Sequence, residues 1–457
     1  MLFIAMDWHS LGHATWLAEV DGLRLLFDPL LEDRHHGGVF GVSPGRTIDA
    51  AALRPDFVFV SHRHPDHFDL ASLRALVALD PDVVLVTSDT LVASCAGRLG
   101  FRTVRVVPPT TTIDLDGPRL VTTPSVGVGD PEWGVVVSSG EGVAYNQVDT
   151  SLGDPDDVRT FFDRIRGVVE RGRPAEEPLV TLALARWQPL LEVEAMLAGS
   201  IGFPFRAYAQ EIERCAALGA RVVCPSAAGT RHAGHHGFMN RLVYPMTQQR
   251  FIDDMHARAP SSRVVANQTG ATYRIRGGDV EVDPAGASSL VSVKVPIERD
   301  VRSFRPLEIP PLIDRWCEGS PEASLRTQSM TWVHEELFPA LCRAYPTRSL
   351  RWLLEVVFPS SVDLITITTG PSPALTHEDD VEWDVRCAVA GSLLVEVIEG
   401  RRHWGDLLLG GALRACSRAR EVDARGVRPI PLQPLFVYEA ISYETSILRA
   451  LDHELEG

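Results

Sequence analysis

The apolar run Phe57-Val58-Phe59-Val60, followed at once by Ser61-His62-Arg63-His64-Pro65-Asp66-His67, constrains this chain more than any other stretch. Four successive apolar residues read as a buried strand. The three imidazoles and one carboxylate of the next seven residues then fall in the loop at its end. Imidazole offers a lone pair near neutral pH, and carboxylate completes a donor set for zinc, iron or manganese. In an extended loop His62 and His64 point the same way, while Asp66 and His67 begin a new direction, so one loop reaches two neighbouring cations. A polar turn that happens to be rich in histidine is the bland alternative, and the H-x-H-x-D-H spacing makes it the weaker one.

A chain of 457 residues is long for a single core, so two domains are expected. With 45% hydrophobic and 23% charged residues it has a globular composition. A formal charge of -16 argues against a nucleic-acid surface or an anionic membrane as the main partner, since both demand a basic face. Lys294 is the only lysine, which leaves arginine as the abundant cation for holding an anionic substrate. Seven scattered cysteines with no C-x-x-C pair suit free thiols in a reducing cytoplasm and offer no cysteine metal site. The apolar start Met1 to Met6 lacks a basic flank and meets Asp7 at once, so it reads as a first strand and not a signal peptide. No apolar run approaches membrane-spanning length, and the expected location is cytoplasmic.

Strand and helix alternate along the chain, with several hairpins mixed in, which is α/β organisation. Ala14 to Val20 and Leu23 to Phe27, joined by Asp21-Gly22, form a hairpin signal that ends at Asp28-Pro29. Residues 31 to 50 are glycine-rich, carry His35-His36, and read as a long loop able to lie over a site. The expected metal-binding domain covers 1–290, a proline-rich linker 291–310, and a carboxy-terminal α+β domain 311–457. In the last, helices are expected at Trp332 to Ala344, Leu350 to Val357, Leu393 to Glu399 and Trp404 to Ala415, and strands at Val362 to Thr368 and Val381 to Val389.

Further ligand candidates follow other apolar strands. Asp149 stands just past Val143 to Asn146, although an aspartate there also suits a turn or helix cap. His232, His235 and His236 crowd five residues after Cys224-Pro225, and spacing alone does not choose between them. Asp130 lies in the loop Gly127 to Pro131.

His62-x-His64-x-Asp66-His67, preceded by Gly12-His13-Ala14-Thr15 and Leu26-Phe27-Asp28-Pro29, resembles the metallo-β-lactamase superfamily over roughly the first 280 residues. The resemblance implies an αββα sandwich with one or two divalent metal ions, zinc or iron, at the sheet edge. It places His62 and His64 on a first metal, Asp66 and His67 on a second, and Asp149 between them. A last ligand is implied near residue 232, and Asp28 as the carboxylate that steadies the histidine loop. One departure matters: no histidine occurs between His67 and His232, where the family normally has one. Either Asp130 supplies an oxygen or the first metal has fewer protein ligands, and more oxygen shifts preference toward iron or manganese. Within the superfamily, Ser61 to Leu73, Gly202 to Phe205, Cys224 to Asn240 and Gly400 to Trp404 look like the non-Rieske domain of cytidine monophosphate N-acetylneuraminate hydroxylases. Those enzymes also carry a Rieske cluster, for which this chain has no C-x-H pair.

Three functions compete. A metal-dependent hydrolase would use a metal-bound hydroxide on a small, anionic metabolite, with Asp66 and Asp149 as the catalytic carboxylates. A non-haem diiron oxygenase would use the same scaffold with electrons from a separate ferredoxin or reductase. A binding module with a degenerate site is the third, disfavoured because buried carboxylates and imidazoles without metal are costly. Arg63, Trp187 and Arg231 are the expected substrate contacts. For the carboxy-terminal domain, capping the pocket, homodimerisation and partner docking all stay open.

Overall fold

Asp21 at φ 50 and Gly22 at φ 86 turn the chain between Thr15–Val20 and Leu23–Phe27. Two successive left-handed residues match the twist of a two-residue hairpin. The computed structural model describes residues 6–126, 131–169, 177–192, 196, 202–294, 302, 304–305, 309–317, 319–377, 382–423, 426–429 and 443–456. Asp130 therefore lies outside the described residues, as do Met1 to Ala5. The chain divides into a first unit of residues 1–190, 203–231 and 244–303 and a second of 191–202, 232–243 and 304–457.

In the first unit, eight strands form one sheet in the order Asp279–Asp283, Thr272–Arg276, Met6–Gly12, Thr15–Val20, Leu23–Phe27, Phe57–Val60, Val84–Thr87 and Thr103–Val106. Phe57–Val60 runs parallel to both neighbours, which explains its unbroken apolar sequence. A second sheet of seven strands contains Val143–Asn146, Leu182–Ala185 and Val222–Pro225, all parallel. The inner faces meet in one core that includes Trp8, Trp16, Phe27 and Phe59 from the first sheet and Val137, Leu182, Leu184 and Val222 from the second. Helices Pro155–Val169, Phe205–Ala217 and Gln248–Arg258 bury Phe161, Phe162, Ile212 and Phe251 against the other face of the second sheet. Leu70–Leu79 and Thr90–Leu99 follow strands of the first sheet. This is the expected αββα sandwich. Parallel strands deliver their carboxyl ends to one edge, and those ends carry Asp28, Ser61 and Asp149.

The 31–50 segment holds two short strands, Arg34–His35 and Phe40–Val42, paired antiparallel. Arg46 anchors it. Its guanidinium, 2% exposed, donates to the carbonyls of Leu11 at 2.5 Å, Glu32 at 3.2 Å and Leu30. Burial pushes the group down to about 10, and Asp33 and Glu32 oppose the shift. Gly12, at φ 104, leaves the room: a Cβ there would meet Arg46 Nε at 2.9 Å.

The second unit centres on a five-stranded sheet, Ala374–Thr376, Val362–Thr368, Arg351–Val357, Val385–Ala390 and Leu413–Ser417 in spatial order. Two expected helices are corrected here. Arg351–Val357 is a strand with Trp352, Leu354 and Val356 on its buried side, a period of two that a short apolar run hides. The helix from Trp404 stops at Leu409; Gly411 at φ 72 breaks it, and Leu413–Ser417 pairs with Val385–Ala390. Another helix begins earlier than expected, at Glu322. All seven cysteines are free. No helix among the described residues is long and apolar enough to cross a membrane.

Replacing Arg46 with methionine strips three buried carbonyls of their donor, so stability to urea is expected to fall by about 3–5 kcal/mol. A loss below about 1 kcal/mol would show that the segment is held by other contacts.

Candidate metal centre

Asp28 ends the strand Leu23–Phe27 with a left-handed backbone, φ 41, fixed by its N–H donating to Phe59 O at 2.8 Å. Its carboxylate, 1% exposed for the residue, accepts three bonds: from Ser61 N at 2.8 Å, Ser61 Oγ at 2.9 Å and His67 Nδ1 at 3.0 Å. The Ser61 hydroxyl spends its proton on Asp28, so its oxygen accepts from His62 Nδ1 at 2.9 Å. One carboxylate thus commits the Nδ1 protons of His62 and His67 and leaves both Nε2 lone pairs facing away from it.

Those lone pairs converge with other donors in two groups. In the first, His62, His64 and Asp149 each offer one ligand atom within 4.8 Å of the others, and His62 Nε2 lies 2.8 Å from His64 Nδ1. In the second, His13, Asp66 and His67 do the same. His67 Nε2 sits 3.3 Å from Asp149 Oδ2 and 3.4 Å from Asp66 Oδ2, buried and with no hydrogen-bond partner. Asp149 is presented by a tight turn in which Val148 adopts φ 55 and Thr150 Oγ1 donates to Gln147 O at 2.6 Å. Gly134 lies under that turn, where a Cβ would come within 2.7 Å of Asn146 O.

The electrostatics suit a cation. Burial holds His62 well below the usual imidazole range, and the His67 and His64 rings add to the effect. Burial would push His67 down as well, yet Asp66 and Asp149 raise it well above its ordinary value. Both carboxylates are lowered despite burial, chiefly by His67. A positive charge between Asp66 and Asp149 is therefore favoured, as a proton on His67 or as a metal ion in its place. The donor set and the orphaned Nε2 of His67 fit divalent metal, which His62, His64 and Asp149, or Asp66, His67 and Asp149, would hold.

Other expected residues go elsewhere. Arg63 forms a bidentate pair with the buried Asp89, at 2.5 and 2.9 Å. Trp187 lines a cavity of about 140 Å³ together with His13, Ser226, Gly229, Gln248 and Arg302. Arg231 is half-buried next to His232. The residue 232 cluster belongs to the second unit. There His232 Nε2 contacts Leu409 O at 3.0 Å, His236 Nδ1 contacts Gly410 O at 2.7 Å, and the His235 ring packs against Trp316. Neither of the two ligand groups above includes them.

Three residues escaped sequence reasoning. His13 was visible only as part of a motif. His35 is 4% exposed with both ring nitrogens lacking a hydrogen-bond partner, its ring centroid 6.4 Å from that of His13, and burial pushes it down to about 3. Glu132 is 4% exposed and accepts from Ser125 Oγ. Burial, reinforced by Asp149, holds its carboxyl above the usual range against the Ser125 bond and the His64 and His67 rings. A single glutamate far from the histidine loop carries no local signal.

Residues 8–142 match the family model of the beta-lactamase superfamily domain. A proposed Rieske 2Fe-2S iron-sulfur protein of Mycobacterium tuberculosis is 27% identical over 271 residues, 54% of this chain and 50% of that protein. The chain thus spans about half the length of the curated relatives it matches first. A metal-dependent hydrolase of Salinibacter ruber is 27% identical over 189 residues, 36% of this chain and 75% of that protein. Among solved structures, a metallo hydrolase of Ignicoccus hospitalis shares 16% identity at TM-score 0.39, covering 59% of this chain and 98% of its own. The diiron β-hydroxylase CmlA of Streptomyces venezuelae shares 14% identity at TM-score 0.37, covering 60% and 54%.

Substituting Asp28 by alanine removes the acceptor that sets both tautomers, and metal affinity is expected to drop about 10–100-fold while far-UV circular dichroism is retained. Unchanged affinity, measured by competition with a chromophoric chelator, would mean that Asp28 does not govern the ligands.

Proposed function

We propose that this chain, a metallo-β-lactamase fold whose residues 8–142 form a beta-lactamase superfamily domain, is a metal-dependent hydrolase of a small anionic metabolite. The observation that carries the reading is the convergence of His62, His64 and Asp149 in one group and of Asp66 and His67, beside His13, in another, with Nδ1 of His67 tied to Asp28 and that of His62 tied to it through Ser61. When bound, paired divalent cations lower the pKa of water and polarise a scissile bond. The protein's own part is to present Asp66 and Asp149 as carboxylates and His62 as an unprotonated ring. Strand-end placement holds these groups rigid, and no serine or cysteine nucleophile is required. The cavity beside His13 is small, about 140 Å³, and its lining includes the Arg302 guanidinium, which supports a compact anionic ligand.

A second reading has a specific observation behind it. No histidine occurs between His67 and His232, and Glu132 in that stretch is a buried carboxyl whose charge state responds to Asp149, His64 and His67, so an oxygen donor is at hand where the family uses nitrogen. That favours iron, and with it an oxygenase fed by an external ferredoxin or reductase.

Metal analysis of protein purified without added metal separates the readings. Two zinc equivalents support hydrolysis; iron with a visible absorption band and reductant-dependent oxygen consumption supports the oxygenase. Substoichiometric metal supports a degenerate binding module. His64→Ala and Asp149→Ala are expected to lose metal, whereas His9→Ala keeps it, because His9 Nδ1 bonds Thr272 Oγ1 at 2.8 Å. Full metal content in both of the first two variants would sink the assignment.

A further inference from the structure

Three imidazoles border the second ligand position or its neighbour, and their outer nitrogens are not set alike. His62 and His67 each give the Nδ1 proton to an oxygen, of Ser61 and Asp28, which leaves Nε2 with a lone pair. His13 is set the other way. The backbone N–H of Gly229 donates to His13 Nδ1 at 3.2 Å, so that nitrogen is the acceptor and the ring proton belongs on Nε2. His13 Nε2 is buried 3.3 Å from Asp66 Oδ2, a charge-pair distance, and makes no hydrogen bond of good geometry.

A metal ligand at Nε2 needs its lone pair there, which would move the proton to Nδ1 and set two N–H groups facing each other across 3.2 Å. The approach of Gly229 is too close to relax easily: a Cβ on it would fall 2.6 Å from His13 N and 2.7 Å from its Cα. Ser43 N–H donates to Gly229 O at 2.8 Å and holds the segment in place. Turning the ring about χ2 would put carbon where both nitrogens now make contact. His13 itself sits at φ 53, a left-handed backbone that fixes where its side chain starts.

We propose that His13 is not a metal ligand but a positioning residue, whose Nε2–H, 3.3 Å from Asp66, steers this carboxylate toward the cation that His67 and Asp149 would hold with it. This rests on the metal-centre reading above. It leaves His67 as the imidazole of the second position and makes Asp66 a carboxylate with one oxygen braced by a proton donor.

The test begins with wild-type protein labelled with 15N at histidine, comparing metal-free and zinc-loaded samples. The long-range proton–nitrogen pattern of the His13 ring, assigned by its disappearance in His13→Gln, is expected to show the proton on Nε2 in both. Zinc stoichiometry and affinity are then measured for two variants. His13→Gln, whose amide N–H can replace Nε2–H, is expected to keep every zinc equivalent within about threefold of wild-type affinity. His13→Phe is expected to keep the stoichiometry but bind about 10–100-fold more weakly at one position, the usual cost of losing a ligand's hydrogen-bond partner. A proton on Nδ1 in the zinc-loaded protein, or loss of one equivalent in His13→Gln, overturns the proposal. If wild-type protein takes up no zinc or iron, the metal-centre reading falls. The tautomer of the metal-free ring still decides the His13 assignment separately.

Discussion

The Asp28 carboxylate is the contact on which the site's order depends. A charge this deeply buried is stable only if its oxygens are well supplied with donors, and Ser61 N, Ser61 Oγ and His67 Nδ1 supply them. The same three bonds pin both ends of the histidine loop to the strand end beside it. They also determine which nitrogens of His62 and His67 carry protons. Loop geometry and ligand chemistry are therefore set by one interaction.

Against that support stands an excess of negative charge. Asp66 and Asp149 both approach His67 Nε2 within 3.4 Å, and His67 is the main group that lowers each of them. Carboxylates this close repel each other unless a positive charge lies between them. A cation satisfies the arrangement better than a single proton, because it accepts lone pairs from both oxygens and from the imidazole at once. The sandwich brings these groups together by joining the first sheet, which carries Asp66 and His67, to the second, which carries Asp149.

How much of this the sequence discloses depends on separation along the chain. The H-x-H-x-D-H loop is contiguous, so the strand, the loop and the ligand types are all legible in eleven residues. Asp149 is legible because an apolar strand ends just before it. His13, Glu132 and Arg46 are not, since each acts through partners that folding alone supplies; Gly229 and His13 are 216 positions apart. The crowd of imidazoles from His232 to His236 falls in the second unit. Clustering makes them ligand candidates, and there His232 Nε2 and His236 Nδ1 contact the carbonyls of Leu409 and Gly410. In the second unit, Leu350 to Val357 and the end of Trp404 to Ala415 read as helix because short apolar runs fit both periods, and only sheet partners choose.

Proton placement also separates groups that composition cannot. Six histidines lie in or beside the first unit's ligand edge: His13, His35, His36, His62, His64 and His67. By residue type they are equivalent donors. Their outer partners make them different: an oxygen acceptor behind His62 and His67 turns the inner nitrogen into a lone pair, and an N–H donor behind His13 turns it into a proton. A metal can be bound by the first kind and can only be approached through Asp66 by the second. Among the described residues of this edge, the nitrogen ligands would then be three, His62, His64 and His67, with oxygen from Asp66 and Asp149. Such a mixed nitrogen and oxygen set disfavours soft cations and leaves zinc, iron and manganese in contention, so the buried Glu132 carboxyl, whose charge state responds to Asp149, His64 and His67, becomes the group on which the choice among them turns.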